Sequence, residues 1–321
     1  MEKKLITVLI PCYNEEESFP MLCERLRNVA DGLTEYNFEF LFIDDGSSDS
    51  TASLMKAERE KDRRVSYVTL SRNYGKETAM CAGFDYAKGD AVVIMDADLQ
   101  HPPELIGQMA KLWSEGYDDV YAKRTSRKGE SFIKKFFTRI YYRFMQRSTR
   151  YPVYPDVGDF RLLDRRCIEA IKKLRETQRN TKNLFAWIGY KKIAIEYEVA
   201  ERQAGKSKWS FMSLVNLAID GITSSTTAPL RISMLFGIFF LIAAFIYMLV
   251  IIIKAIAWGI DTPGYSSLMV IVLFIGGVQL FSLGVISEYL GKIFNESKGR
   301  PVYFADEYNG RKISNKDGDG Q

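Results

Sequence analysis

Two aspartates one residue apart, Asp96 and Asp98, follow the apolar run from Ala91 to Met95, and a second acidic pair, Asp44 and Asp45, follows the run from Phe38 to Ile43. Carboxylates spaced this way at a strand end can offer oxygens to a hard divalent cation, which in turn neutralises a diphosphate. A further acid, Glu15, stands just beyond the first apolar run, after Pro11, Cys12, Tyr13 and Asn14. A single Asp-x-Asp is as often a solvated turn; three acidic turns in equivalent positions favour one shared site. Other chemistries lack their residues. No Gly-x-Gly-x-x-Gly follows the first run, which argues against a dinucleotide and hydride transfer. Gly205-Lys206-Ser207 has the tail of a P-loop, but Ala200 stands where its first glycine is required. The four cysteines (Cys12, Cys23, Cys81 and Cys167) have no metal-ligand or redox spacing and read as reduced thiols. His101, the only histidine, lies between Gln100 and Pro102 and reads as a residue that shapes a turn.

The elements that must carry these acids follow from periodicity. Short β-branched and apolar runs at residues 5–11, 38–43, 65–70, 91–95 and 118–122 predict strands. Between them, residues 15–31, 49–61, 76–88 and 103–115 have apolar positions three and four apart, as in helices, with Ser47, Ser48 and Asp49 as candidate N-caps for the second. Strand and helix in alternation imply right-handed crossovers and a mainly parallel sheet covered on both faces. Ligands of such sheets sit at the carboxyl ends of the strands, where the acids are.

The last third of the chain differs in kind. Residues 232–253 and 266–287 contain no charge, and each run of about 22 residues is long enough as helix to cross a bilayer. Gly276, Gly277 and Gly284 suggest close packing of the two as a hairpin. Arg231 before the first span, and Lys292, Lys298, Arg300, Arg311 and Lys312 after the second, predict both termini in the cytoplasm; Lys254 near the connection weakens the asymmetry only slightly. The N-terminal apolar run ends at Pro11 and is followed by Glu15-Glu16-Glu17, so it reads as a buried strand and not a signal peptide. A net charge of +4 gives no reason to expect nucleic acid.

Residues 131–147 wind into an amphipathic helix with Phe132, Ile133, Phe136, Phe137, Ile140 and Phe144 on one face. Lys135, Arg139, Arg143 and Arg147 form a basic stripe beside it, a pattern suited to an anionic membrane surface. Residues 209–225 read as a helix leading into the first span. Arg124 and Arg127, just after the fifth strand, are candidates for binding a phosphate.

Six segments then carry a resemblance: Val8 to Glu15 (VLIPCYNE), Phe42 to Asp49 (FIDDGSSD), Ser71 to Lys76 (SRNYGK), Met95 to Pro103 (MDADLQHPP), Gly158 to Arg165 (GDFRLLDR) and Arg202 to Lys208 (RQAGKSK). In this order, and ahead of two apolar spans, they resemble glycosyltransferase family 2, in the branch that glycosylates polyprenyl phosphates. The resemblance implies an α/β fold: a nucleotide-sugar-binding, Rossmann-like domain of GT-A type with a mainly parallel sheet, plus a C-terminal two-helix transmembrane hairpin. It implies a cytoplasmic glycosyltransferase domain at 1–208, a juxtamembrane helix at 209–230, two transmembrane helices at 231–290 and a cytoplasmic tail at 291–321.

By the same resemblance, Pro11, Tyr13, Glu15, Asp44, Asp45, Lys76 and Ala97 would line the nucleotide-sugar site. Asp96 and Asp98 would hold Mg²⁺ or Mn²⁺ on the diphosphate, and Asp159, with Asp98, would carry the catalytic role. Arg202, Ser207 and Lys208, together with Arg124 and Arg127, would grip phosphate oxygens of donor or acceptor. The expected reaction is inverting transfer of a hexose, glucose from UDP-glucose, to undecaprenyl phosphate at the bacterial inner membrane. Alternatives are the same reaction with GDP-mannose, an amino-arabinose or an N-acetylhexosamine donor, or a non-catalytic membrane scaffold. Expected partners are the donor, the lipid and the membrane, with a homo-oligomer and a downstream flippase and glycosyltransferase also compatible.

Overall fold

The computed structural model describes residues 3–124, 132–149, 151–152, 157–197, 219–224, 226–258 and 264–313. It divides into two compact units. One comprises the chain up to Gln146, residues 151–210 and the stretch from Arg300, and the other residues 147–150 and 211–299.

In the first unit the described strands form one sheet in the order β7-β5-β6-β4-β1-β2-β3-β8-β9. Its centre is β1 (Leu5–Cys12), β2 (Asn37–Asp44), β3 (Val65–Leu70) and β4 (Ala91–Ile94), all mutually parallel. The helices that join them are α1 (Phe19–Gly32), α2 (Thr51–Lys61) and α3 (Lys76–Tyr86); α4 (Leu105–Ser114) then leads to β5 (Asp119–Arg124). Helix α1 buries Phe19, Leu22, Cys23, Leu26 and Ala30, a stripe at helical spacing, with Pro20 in its first turn where the missing N–H costs nothing. Alternation along β1 sends Ile6, Val8 and Ile10 to the face covered by α1 and α4, and Leu9 to the face covered by α3. The contact on that second face is close: a Cβ on Gly83 of α3 would lie 2.0 Å from a Leu9 methyl.

The strands and helices expected from periodicity are present with small shifts of boundary. The second helix is capped differently from expectation: its N-cap is Ser50, whose side chain makes no capping bond, while the Asp49 carboxylate accepts the Thr51 and Glu16 N–H groups. Beyond β5 the chain forms α5 (Phe132–Ser148), β6 (Val157–Asp164), α6 (Arg165–Lys172), α7 (Thr181–Trp187) and β7 (Lys192–Tyr197). Strand β6 runs antiparallel between β4 and β5, with Ile94 opposite Arg161. This inversion matters for the site, because it carries the start of β6 to the edge where β4 ends.

Residues read from the sequence as a tail return to the sheet. Strands β8 (Ala305–Tyr308) and β9 (Arg311–Lys312) extend it antiparallel from β3. Glu307 accepts the Tyr67 hydroxyl at 2.5 Å and pairs with Lys56 at 2.9 Å, and the Tyr303 hydroxyl donates to Asp85 at 2.8 Å.

The second unit is dominated by α8 (Ala228–Trp258) and α9 (Tyr265–Ser297). Within them Ala228–Tyr247 and Phe274–Ser297 have mean hydropathies of 2.2 and 1.3. Leu235, Phe239, Leu280 and Phe281 are all exposed. Apolar helices of 31 and 33 residues with bare apolar surfaces mark this unit as membrane-associated. The expected glycine packing is not what joins them: a Cβ at Gly276, Gly277 or Gly284 would meet nothing within 4 Å, whereas Phe240 and Phe274 touch edge to face at 5.2 Å. Of the predicted helix at 209–225, residues 219–224 are described and helical; the rest lies outside the described residues.

Candidate active site

Parallel strands β1, β2 and β4 end side by side, so the turns after Cys12, Asp44 and Ile94 share one edge of the sheet. Each turn is held by its own polar side chains. Asn14 adopts φ 55°, a left-handed conformation that asparagine tolerates, and its Oδ1 accepts the Ser48 N–H, tying the first turn to the second. Asp44 is buried and accepts the Ser47 N–H at 3.1 Å. Asp45 is buried too, and its two oxygens take the N–H groups of Tyr74 and Gly75 at 2.7 and 2.8 Å, which anchors the loop entering α3. Burial pushes both carboxyls above their ordinary value despite these hydrogen bonds.

Gly46 makes the second turn possible. Its φ of 68° is left-handed, and an added Cβ would stand 2.6 Å from the Arg72 carbonyl carbon and 2.7 Å from the Asn73 nitrogen. Gly46→Ala is expected to cost at least about 2 kcal/mol, since neither the φ nor the backbone contact can relax cheaply. Thermal melting followed by circular dichroism should show a loss of about 4 °C or more; an unchanged midpoint would contradict the close approach.

In the third turn Asp96 donates its N–H to His101 Nδ1 at 3.2 Å, and Asp98 Oδ1 accepts the Gln100 N–H at 3.1 Å across Leu99, which has φ 61°. His101 is buried and stacks on Phe160 of β6 at 4.9 Å. It therefore shapes the acidic turn, as the sequence suggested, and also fastens that turn to β6. Phe160 points to the His101 face, so its neighbours Asp159 and Arg161 point to the opposite one.

Asp159 is 8% exposed, and Lys76, at the start of α3, reaches it. The Lys76 ammonium lies 2.8 Å from Asp159 Oδ2 and 2.6 Å from Asp96 Oδ1. Burial alone would raise the Asp159 carboxyl, but Lys76, and then Lys182, outweigh it and hold it below the ordinary carboxylate range. Burial likewise disfavours the Lys76 ammonium, yet Asp159 and Asp96 together lift its pKa above the ordinary value. Next along α3, Glu77 is fixed by the Thr181 N–H at 2.8 Å.

Of the other expected site residues, Tyr13 stands 46% exposed at the same edge, Pro11 lies in β1 opposite Ile43, Glu15 accepts the Ser18 hydroxyl, and Ala97 is buried. Burial raises the Glu15 carboxyl, and the charges of Asp98 and Asp96 add to it. Arg124 closes β5; Arg127, Arg202, Ser207 and Lys208 lie outside the described residues.

Spacing alone did not reveal the interior of this region. Arg161 is 3% exposed and pairs with the buried Asp119 at 3.1 Å. Both line a small recess together with Tyr141, Asn180, Lys182 and Lys192. Reading Gly158 to Arg165 as a strand would have placed Arg161 on the face of Asp159. Arg161→Met leaves the Asp119 charge buried with, among the described residues, only the Lys192 ammonium 3.9 Å away, so a loss of about 3 kcal/mol is expected in chemical denaturation. A loss below about 1 kcal/mol would show the pair to be dispensable.

The donor set fits a hard cation without completing its shell. Among the described residues no group of three His, Cys, Asp or Glu side chains is arranged to hold a metal. Asp96 and Asp98 are two oxygen donors in an acid-rich turn, and a diphosphate with waters can supply the remaining ligands.

Both the sheet domain and the apolar hairpin have counterparts among known proteins. The model of glycosyl transferase family 2 matches residues 7–172, and that of the GtrB C-terminal hairpin matches residues 228–293. An uncharacterized glycosyltransferase of Synechocystis is 44% identical over 94% of this chain and 95% of its own length. The bactoprenol glucosyl transferase of Shigella phage SfV is 40% identical over 93% of this chain and 97% of its own, and a prophage homolog of that enzyme in Escherichia coli is 39% identical over the same shares. The fold is GT-A-like, with a mixed, mostly parallel sheet. The chain belongs to glycosyl transferase family 2 and is a glycosyltransferase with a C-terminal hairpin.

Proposed function

We propose that this protein transfers a hexose, glucose from UDP-glucose, to a polyprenyl phosphate at the cytoplasmic face of the membrane, with inversion at the anomeric carbon and with Mg²⁺ or Mn²⁺ as cofactor. The observation that carries this reading is the meeting of Asp96 and Asp159 on Lys76, with Asp98 in the same turn as Asp96, in a chain that also bears two apolar helices. Relatives named bactoprenol glucosyl transferases, matched over nearly their whole length, support the acceptor and the sugar.

A divalent cation bound at Asp96 and Asp98 would supply positive charge to the departing nucleoside diphosphate. The chain's own residues do the rest. Tyr13 offers an exposed ring for the base, and the Asn14–Ser48 tie keeps the first two turns in register for the nucleoside. His101, through the Asp96 N–H, and Leu99, through its left-handed φ, shape the backbone turn that carries Asp96 and Asp98. Asp159 orients the acceptor and does not deprotonate it: a phosphate monoester, with a second pKa near about 6, is already largely a dianion at pH 7. Arg124, Arg127, Arg202, Ser207 and Lys208 are proposed for the phosphate oxygens of acceptor and donor.

Strands β8 and β9, after the hairpin, hydrogen-bond into the sheet that precedes it, which supports both ends of the hairpin on one side of the bilayer. The test is incubation of purified protein with undecaprenyl phosphate and a panel of radiolabelled nucleotide-sugars, followed by organic extraction. Label is expected in the lipid phase from UDP-glucose; label from another donor alone would replace the sugar, and label from none would sink the reading.

A further inference from the structure

Among the described residues, Lys76 is the only cation ion-paired with Asp96 or Asp159. Its backbone is fixed from both sides. Asp45 grips the N–H groups of Tyr74 and Gly75 just before it, and Glu77 just after it is tied to Thr181 at the start of α7. The side chain is a different matter: it is 41% exposed, and its four methylenes allow the ammonium to move while the Cα stays in place.

Asp159 is almost fully buried and its Oδ1 has no hydrogen-bond partner among the described residues, so the direct contact that compensates this carboxylate is the Lys76 ammonium on Oδ2, with the charge of Lys182 adding to it. Asp96 is more open, with its side chain 29% exposed against 9% for Asp159. Of the two contacts, the one to Asp96 is therefore the easier to give up. It is also the one that competes for an oxygen the donor site needs. An ammonium and a divalent ion cannot both rest against a single carboxylate oxygen without strong repulsion.

We propose that Lys76 is a resident cation of the donor site: it holds Asp96 and Asp159 together in the unloaded enzyme, releases Asp96 to a divalent ion arriving with the donor, and keeps Asp159. The proposal rests on the metal-dependent reading given above and adds a coupling to it. Once off Asp96, the ammonium has N–H donors to turn toward the phosphate oxygens of the substrates, while its bond to Asp159 keeps that carboxylate aimed. Lys76 is thus a positioning residue that links occupation of the donor half to readiness of the acceptor half. In the unloaded state it spares two facing carboxylates their mutual repulsion, which keeps the acidic turn and β6 in register.

The test is Mn²⁺ titration of the purified full-length protein in detergent, following free Mn²⁺ by electron paramagnetic resonance, first without nucleotide and then with UDP. Removing the competitor with Lys76→Met should tighten Mn²⁺ binding without nucleotide by about tenfold. Lys76→Arg, which keeps the charge, should stay within about threefold of wild type. Lys76→Gln serves as a second neutral variant should the Met variant fold poorly, and it is expected to behave as the Met variant does. Neutral variants that bind Mn²⁺ no more tightly than wild type would overturn the proposal while leaving the metal reading intact. If no variant, nor the wild type, binds Mn²⁺ even with UDP, the metal reading falls and this proposal with it.

Discussion

Replacing Asp96 and Asp98 together by asparagine is expected to lower glycosyl transfer by at least about a thousandfold while leaving the protein folded. The size follows from the job proposed for them: losing a group that stabilises the charge developing on a leaving group typically costs about 3–4 kcal/mol of barrier, and here both donors are lost at once. The fold should survive because the substitution is isosteric and neither side chain belongs to the core. After Asp98→Asn the amide oxygen could still accept the Gln100 N–H, and the Asp96 backbone contact to His101 does not use the side chain. Lipid-extractable label from the nucleotide-sugar measures the loss. Chelation should imitate it in the wild type and added Mn²⁺ should reverse the chelation, whereas the double variant should not respond to Mn²⁺. Activity within about tenfold of wild type would mean that the donor's pyrophosphate is held elsewhere.

Asp159→Asn is expected to lower kcat by about a hundredfold or more, and by the same factor from about pH 6 to about pH 8.5. The uniformity is the informative part. Lys76 and Lys182 hold the Asp159 carboxyl below its ordinary 3.8 even though burial opposes them, which makes it a poor proton acceptor. A group depressed in the folded state contributes stability above its unfolded value, near 3.8, and loses that contribution as pH falls through the lower folded value. Lys76 has the opposite sign. Its pKa is raised above 10.5, so its contribution is complete below that pH and is lost as pH rises through the higher folded value. The pair therefore stays charged between about pH 4 and about pH 10, and neither partner titrates where the enzyme would be assayed. Any limb in the rate profile near about pH 6 is expected to belong to the acceptor phosphate, whose dianion is the nucleophile. A variant inactive at about pH 6 but near normal at about pH 8 would instead identify Asp159 as a general base, needed only while the phosphate retains its proton.

These expectations differ in how much of them could be read from the chain alone. The acidic turns were legible because β1, β2 and β4 are short apolar runs in a parallel array: the chain leaves each at the same edge, so residues just after Cys12, Asp44 and Ile94 converge by topology alone. The apolar helices were equally plain, since an uncharged stretch of about 22 residues has few other uses. Periodicity missed β6, β7, β8 and β9, which contain charged or polar residues such as Asp159, Arg161, Glu196 and Glu307 amid their apolar ones.

What the sequence determined by itself was the chemistry available and the edge on which most of it gathers, because hydrophobic alternation and crossover handedness are local rules that need no distant partner. Tertiary structure decided the rest. Asp159 reaches the site only because β6 runs antiparallel to β4, which turns the beginning of one strand toward the end of another. Lys76 looked like a nucleotide contact, and its place between Asp96 and Asp159 depends on a loop pinned by Asp45 and a carboxylate 83 residues away. The returning strands pair with β3 through Tyr67, Glu307 and Asn309, contacts that span 240 and 242 positions of chain. Electrostatic pairing acts over a few ångströms in space and is indifferent to sequence separation, so no spacing in the chain announces it.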